Sequence, residues 1–263
     1  MKYAPIGPIW LYNYLRRVGA LADYHFVLAH HVLEMKFAHE LFYNAYAKEE
    51  KPFVIMDNSL IELGEALSVE ELMVAASICK ADAVVLPDVP KDSDKTIELG
   101  LVSAEYLHDW MAANDPSPPA FKWMLAVQGK TVAECWECAA AMWKICPNLG
   151  YFGIPRHLVQ QLGTRREITK LIGDAFPETP IHLLGFSDDI NDDIQSSQHP
   201  SVMGIDSAAP CWIGAHGVAL NGPSDIPKAG KRPNTFFTQD FRPDTVRLIT
   251  RNIELVREWF KRS

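Results

Sequence analysis

The sequence predicts a single-domain α/β protein folded as a (β/α)8 TIM barrel, and three observations carry that expectation. Short apolar, β-rich runs recur at roughly 30-residue intervals. Helical patterns lie between most of them, and alternation of strand and helix means a parallel sheet. The chain has 263 residues and eight strand candidates. A closed barrel of about 250 residues suits that number better than an open doubly wound sheet.

In chain order the runs are Tyr24–Leu28, Phe53–Met56, Ala83–Leu86, Trp123–Val127, Tyr151–Ile154, Ile181–Leu184, Val202–Ile205 and, weakest, Val218–Leu220. Unbroken apolar runs of this length suit parallel strands covered on both faces. Between them, Leu33 to Ala47 places Leu33, Phe37, Leu41 and Tyr46 near one helix face. Ser68–Glu71, Thr131–Glu134 and Thr164–Glu167 have the form of capping boxes, in which hydroxyl and carboxylate satisfy the free amides of a first turn. Asn114–Pro119 reads as a Pro-rich turn. A long loop at about 221–243 carries Lys228, Lys231 and Arg232, and a closing amphipathic helix follows at about 244–261. One barrel domain thus takes in residues 1–263.

Composition narrows the function classes. The net charge is -8, opposite in sign to a protein that grips phosphates through bulk charge, so any nucleic-acid contact must come from local basic patches. No run of about 18 apolar residues occurs and the start lacks a signal-peptide pattern, which places the expected protein in the cytoplasm, away from membranes. Five scattered cysteines fit reduced thiols. Cys135 and Cys138 form a Cys-x-x-Cys with no second pair, inside a capped helix, and are expected to pack in the core rather than bind metal. His30 and His31 are read as packed or surface groups. The usual dinucleotide and P-loop glycine patterns are absent.

In a barrel of this kind the active groups stand at the C-terminal ends of the strands. Asp57 follows one run, Asp88 the next, Gln128-Gly129 the next, and Asp206 the seventh. A single acid at such a place is often only a helix N-cap. Several such groups ending different strands point to a ligand, because uncompensated buried acids are expensive. Carboxylates accept from N–H groups, and an amide both donates and accepts. The set suits the donor edge of guanine and its O6, with one acid free to attack; it suits a sugar equally well.

Six segments, in order over roughly residues 50 to 220, resemble the queuine/archaeosine tRNA-guanine transglycosylase family. They are Val54–Ser59, Ala83–Asp88, Ala126–Gly129, Gly150–Ile154, His182–Gly185 and Asp206–Pro210. The resemblance implies a (β/α)8 barrel that replaces guanine by a 7-deazaguanine. It implies Asp206 as nucleophile, Asp57 and Asp88 holding the base, and Gln128 and Gly153 binding O6, with Gly129 and Ile154 also expected at the base. Because the leaving and entering bases need opposite proton transfers, Asp57 is expected to shuttle the N9 proton. Where the family has Pro-Thr-Arg this chain has Pro210-Cys211-Trp212, and only Cys211 follows Asp206, so the family's zinc subdomain cannot be built. Short, zinc-less relatives are similar to the DpdA-like branch, often of phages, which places 7-deazaguanines such as 7-cyano-7-deazaguanine in DNA.

The expected substrates are therefore DNA and a 7-deazaguanine base, with no cofactor and no metal. A phage-encoded copy would act in the host cytoplasm. Transfer into tRNA, a non-catalytic nucleic-acid-binding subunit and a sugar-processing barrel hydrolase are the alternatives. A homodimer or a partner protein stays open. Arg156, His157, Arg165, Arg166, Lys228, Lys231 and Arg232 are the candidates for backbone phosphates, with Lys170 near them.

Overall fold

A computed structural model describes residues 2–18, 23–45, 51–113, 121–146, 148–226, 232–233 and 235–261. Tyr46, Ala47, the Asn114–Pro119 turn, Lys228 and Lys231 lie outside the described residues. Eight strands form one parallel sheet: β1 Lys2–Pro5, β2 His25–Leu28, β3 Val54–Asp57, β4 Ala83–Val85, β5 Lys122–Ala126, β6 Leu149–Pro155, β7 Ile181–Leu184 and β8 Val202–Ser207. Their order, β1-β8-β7-β6-β5-β4-β3-β2, is that of a nearly closed TIM barrel with helices between the strands. At the β1–β2 seam the Tyr12 hydroxyl lies 2.6 Å from the Pro5 carbonyl and 3.0 Å from the Phe26 carbonyl, joining the two strands by a side chain. The Tyr3 amide donates to Asp23 (2.9 Å), which also pairs with Arg257 of the last helix.

Period-two alternation sorts the strand residues. Val54, Met56, Trp123, Leu125, Phe152, Ile154, Leu183 and Ile205 join the large core between sheet and helices. Ala4, Tyr24, Phe26, Ile55, Val85, Met124 and Ala126 fill the lumen. A polar residue on a lumen-facing position near a strand's C-terminal end therefore points into the top of the barrel, and Asp57 and Asp206 occupy such positions.

Seven of the eight strand expectations hold, with shifted ends. The eighth does not: Val218–Leu220 is irregular backbone, pinned by Asn252, whose side chain accepts from the Leu220 amide and donates to the Val218 carbonyl. Its place is taken by β1, which is only four residues long and ends in a proline, so it carried little pattern. The segment from Leu33 is also different. Two helices, Ala29–Glu34 and Lys36–Asn44, break at Met35, and the buried face is His39, Phe42 and Tyr43. Phe37 and Leu41 are 77% and 64% exposed, so the expected apolar face is the solvent face. Ser68 and Glu71 form the full capping box. Thr131 caps its helix, while the Glu134 carboxylate turns to the Lys130 amide. Thr164 makes no box with Glu167; it bonds Asp192, which also accepts from the Arg165 amide. The closing helix runs Pro243–Lys261. All five cysteines are free and buried. No helix among the described residues is long and apolar enough to cross a membrane.

Burial holds His25, His31 and His39 neutral. His25 and His31 are pushed down to about 3 and His39 to about 4, with Lys51 adding to the effect at His25 and neighbouring histidines at His31. The unfolded chain protonates these rings near pH 6.5 and the folded one does not. The stability they contribute is therefore present above pH 6.5 and is lost as pH falls toward 4. In urea unfolding between pH 6.5 and 4.5, His39→Gln should lower the slope of stability against pH by up to about one proton. An unchanged slope would show that His39 is not buried neutral.

Candidate active site

The top of the barrel holds a cavity of about 420 Å³, within the usual range for a small-molecule site of roughly 300–1,000 Å³. Asp57, Asp88, Gln128 and Asp206 all line it, together with Asn58, Glu62, Arg156, His157, Gln160, Gly185 and Arg232. Phe26, Leu28, Val85, Ala126 and Leu184 supply the apolar floor and wall. The four strand-end groups expected from the sequence thus meet in one place.

Each acid is held differently. Asp88 is 5% exposed. Asn58 Nδ2 donates to its Oδ1 and Gln128 Nε2 to its Oδ2, both at 2.6 Å. Burial raises its pKa to about 6, against the pull of those two donors. Gln128 is itself fixed, because its Oε1 accepts the Lys91 amide at 2.9 Å. Asn58 also donates to the Leu86 carbonyl at 2.7 Å. Asp57 accepts the Ser59 amide at 3.0 Å. Burial, then the charges of Glu62, Asp206 and Asp88, hold its carboxyl well above the ordinary range, which favours its protonated form. Ser59 has φ 64°, a left-handed conformation that costs a non-glycine residue roughly 1–2 kcal/mol. It is fixed there by its hydroxyl, which accepts the His30 amide.

Asp206 is 3% exposed. His182 Nε2 lies 2.8 Å from its Oδ1, and the Gly185 amide donates to the same oxygen at 3.0 Å. Gly185 sits at φ +71°, and the Arg156 side chain occupies the space beside it, 3.0 Å from where a Cβ would be. The site therefore offers one acid whose proton is held more tightly than usual, one acid with a pKa near 6 fixed between two amides, and one acid with an oxygen left over. That combination donates a proton, accepts from N–H groups and attacks an electrophile, without further groups.

Not every expected residue reaches the cavity. Gly129 serves packing: a Cβ there would lie 2.6 Å from the Cys135 amide nitrogen, and its carbonyl accepts from Gln161. Gly153 lies beneath Leu184, whose side chain would meet a Cβ at 2.6 Å. The Ile154 side chain faces the helical core and its carbonyl accepts from Arg165. The structure brings none of these three to the cavity wall.

The basic candidates also separate. Arg156, His157 and Arg232 line the cavity mouth. The Arg232 guanidinium lies 5.3 Å from the Trp212 ring centroid, a cation–π contact. Burial, then Lys91 and Arg156, lower His157 to about 4, so it is neutral there and offers hydrogen bonds rather than charge. Arg165 is a correction: it is fully buried and paired with Asp193 at 2.6 Å, so it cannot meet a phosphate. Arg166 bonds Gln195 on the outside, and Lys170 pairs with Asp174. His30 and His31 are buried, with their rings tilted against each other at 4.0 Å between centroids. Sequence reasoning missed Asn58, Glu62 and above all His182 as site residues. The signal was present in His182, a polar residue on the lumen-facing phase of an apolar strand.

Neither protein-family models nor curated proteins gave a match to this chain.

Breaking a buried ion pair costs roughly 3–5 kcal/mol, because the remaining charge is stranded. Arg165→Met should therefore lower the unfolding free energy by about that amount, since the buried Asp193 carboxylate loses its counter-charge and keeps only the Ser187 amide and hydroxyl as hydrogen-bond donors. Affinity for a nucleic acid, measured at a temperature where the variant is folded, should stay unchanged. A loss of affinity without loss of stability would return Arg165 to the binding surface.

Proposed function

We propose that this protein is a guanine transglycosylase that exchanges a guanine in DNA for a 7-deazaguanine base. The observation that carries the reading is Asp206: a carboxylate held through one oxygen, lining the same cavity as Asp57 and the amide-clamped Asp88. The segment resemblance supports the same assignment, and it supports DNA over tRNA because the chain has no zinc segment.

In this reading Asp88 and its two amides face the polar edge of the base, and the apolar wall takes the ring. A base in a duplex first leaves the stack. The free oxygen of Asp206 attacks C1′, forming a C–O bond as the C1′–N9 bond breaks. The electron pair departs on guanine, which takes a proton from Asp57. The entering base then returns that proton to Asp57, its N9 attacks C1′, and the carboxylate leaves. Two inversions retain the sugar configuration. Arg156 and Arg232, at the cavity mouth, supply local positive charge to an otherwise acidic protein and are suited to the flanking phosphates.

The test is mass spectrometry of nucleosides from DNA, and separately from tRNA, exposed to the protein and candidate 7-deazaguanines. Wild type should place the deazaguanine in DNA. Asp206→Asn should lower exchange at least about 10³-fold, in line with loss of a nucleophile, while its thermal unfolding stays cooperative. Full activity in that variant removes Asp206 as nucleophile. Preferred transfer into tRNA overturns the choice of DNA, and binding without exchange supports a non-catalytic subunit instead.

A further inference from the structure

A histidine inside an apolar barrel lumen needs partners for both ring nitrogens, because an unpaired buried polar atom is costly. His182 has no solvent exposure and stacks on Phe26, with ring centroids 5.3 Å apart. Its Nδ1 lies 3.1 Å from the Tyr24 hydroxyl and its Nε2 2.8 Å from Asp206 Oδ1. With a neutral ring, one proton arrangement gives every contact a donor. The Tyr24 hydroxyl donates to Nδ1, and Nε2–H donates to the carboxylate. Burial, reinforced by the nearby Asp206 charge, holds the Tyr24 phenol well above its usual range, so it remains a donor.

Space for this chain of contacts is written into the strands. Gly204 of β8 is the register partner of His182. A Cβ there would lie 2.5 Å from the Tyr24 hydroxyl oxygen. The missing side chain is what lets the phenol reach across the lumen. At the other end, both donors to Asp206 bind the same oxygen, Oδ1. Among the described residues no donor meets Oδ2 within hydrogen-bond distance.

We propose that Tyr24 and His182 are positioning residues for Asp206: the line Tyr24–His182–Asp206 fixes one carboxylate oxygen so that the other is presented to the sugar carbon. The proposal deepens the transglycosylase reading and rests on it. Its physical basis is orientation, since a nucleophile misplaced by about 1 Å loses on the order of 10²-fold in rate. Neither residue touches the base, so the effect falls on the chemical step and not on base binding.

The test compares kcat and the KM for the entering base in wild type, Tyr24→Phe, His182→Leu and His182→Gln. Tyr24→Phe should lower kcat about tenfold, and His182→Leu about a hundredfold, with KM within about twofold of wild type. His182→Gln restores an N–H toward Asp206 and should recover at least about tenfold over the leucine variant. Wild-type kcat in both Tyr24→Phe and His182→Leu, or a change in KM alone, overturns the proposal. A second measurement does not depend on turnover. Nitrogen-15 NMR of the His182 ring should place the proton on Nε2, and Tyr24→Phe should shift that spectrum. A proton on Nδ1 in wild type overturns the proposal whatever the activity. A wild type with the expected spectrum and no exchange fails the transglycosylase reading, and the role in attack falls with it.

Discussion

A carboxylate taken out of water has to be compensated, and the compensation of Asp206 organises the upper part of this barrel. The compensation comes from one ring nitrogen, Nε2 of His182 on β7, and one backbone amide in the turn that follows it. Both requirements reach back into the sequence. The ring needs a histidine on the lumen-facing phase of β7, and it needs a hydroxyl behind it, which Tyr24 supplies. The amide needs a turn that brings Gly185 over the strand end at positive φ. Around the His182 ring the lumen is filled by Ala4, Phe26, Ile55, Val85, Met124 and Ala126, so these contacts form in a medium where they are strong and where an unpaired group would be expensive.

The neighbouring acids follow the same physics with different outcomes. Asp88 accepts two side-chain amides and keeps a pKa near 6, because two hydrogen bonds offset much of its burial. Asp57 is buried, accepts one backbone amide and faces three other acids, so its carboxyl is held well above the ordinary range. Environments that push neighbouring carboxyls apart are how one cavity obtains an acid and a nucleophile at the same pH. The cavity mouth balances this acidity with Arg156 and Arg232, two positive groups on a chain of net charge -8.

Much of this was legible in the sequence because the period of a strand is two and its end is marked by a change from apolar to polar. Asp57, Asp88, Gln128 and Asp206 are all strand-end groups, and the barrel rule places such groups on one rim. The strand β1 was not legible, since four residues ending in Pro5 make too short a pattern. Val218–Leu220 imitated a strand by composition, but it is fixed by Asn252, a contact between residues 32 apart in the chain. Phe37 and Leu41 misled because helical phase breaks at Met35. Arg165 looked like its basic neighbours; only the fold reveals Asp193 beside it. Gly129 and Gly153 sit in segments of the expected type, yet their missing side chains serve helix and strand packing rather than a ligand.

Exchange by this route requires an oxygen of Asp206 to bond to a sugar carbon during turnover. The direct measurement is to quench the protein with substrate DNA in the absence of an entering base, digest it, and locate any nucleic-acid-bearing peptide by mass spectrometry. A covalent adduct is expected on the peptide containing Asp206, with a sugar that has lost its base at the target position. An adduct on any other residue, or base exchange at full rate with no adduct at any quench time, would contradict it.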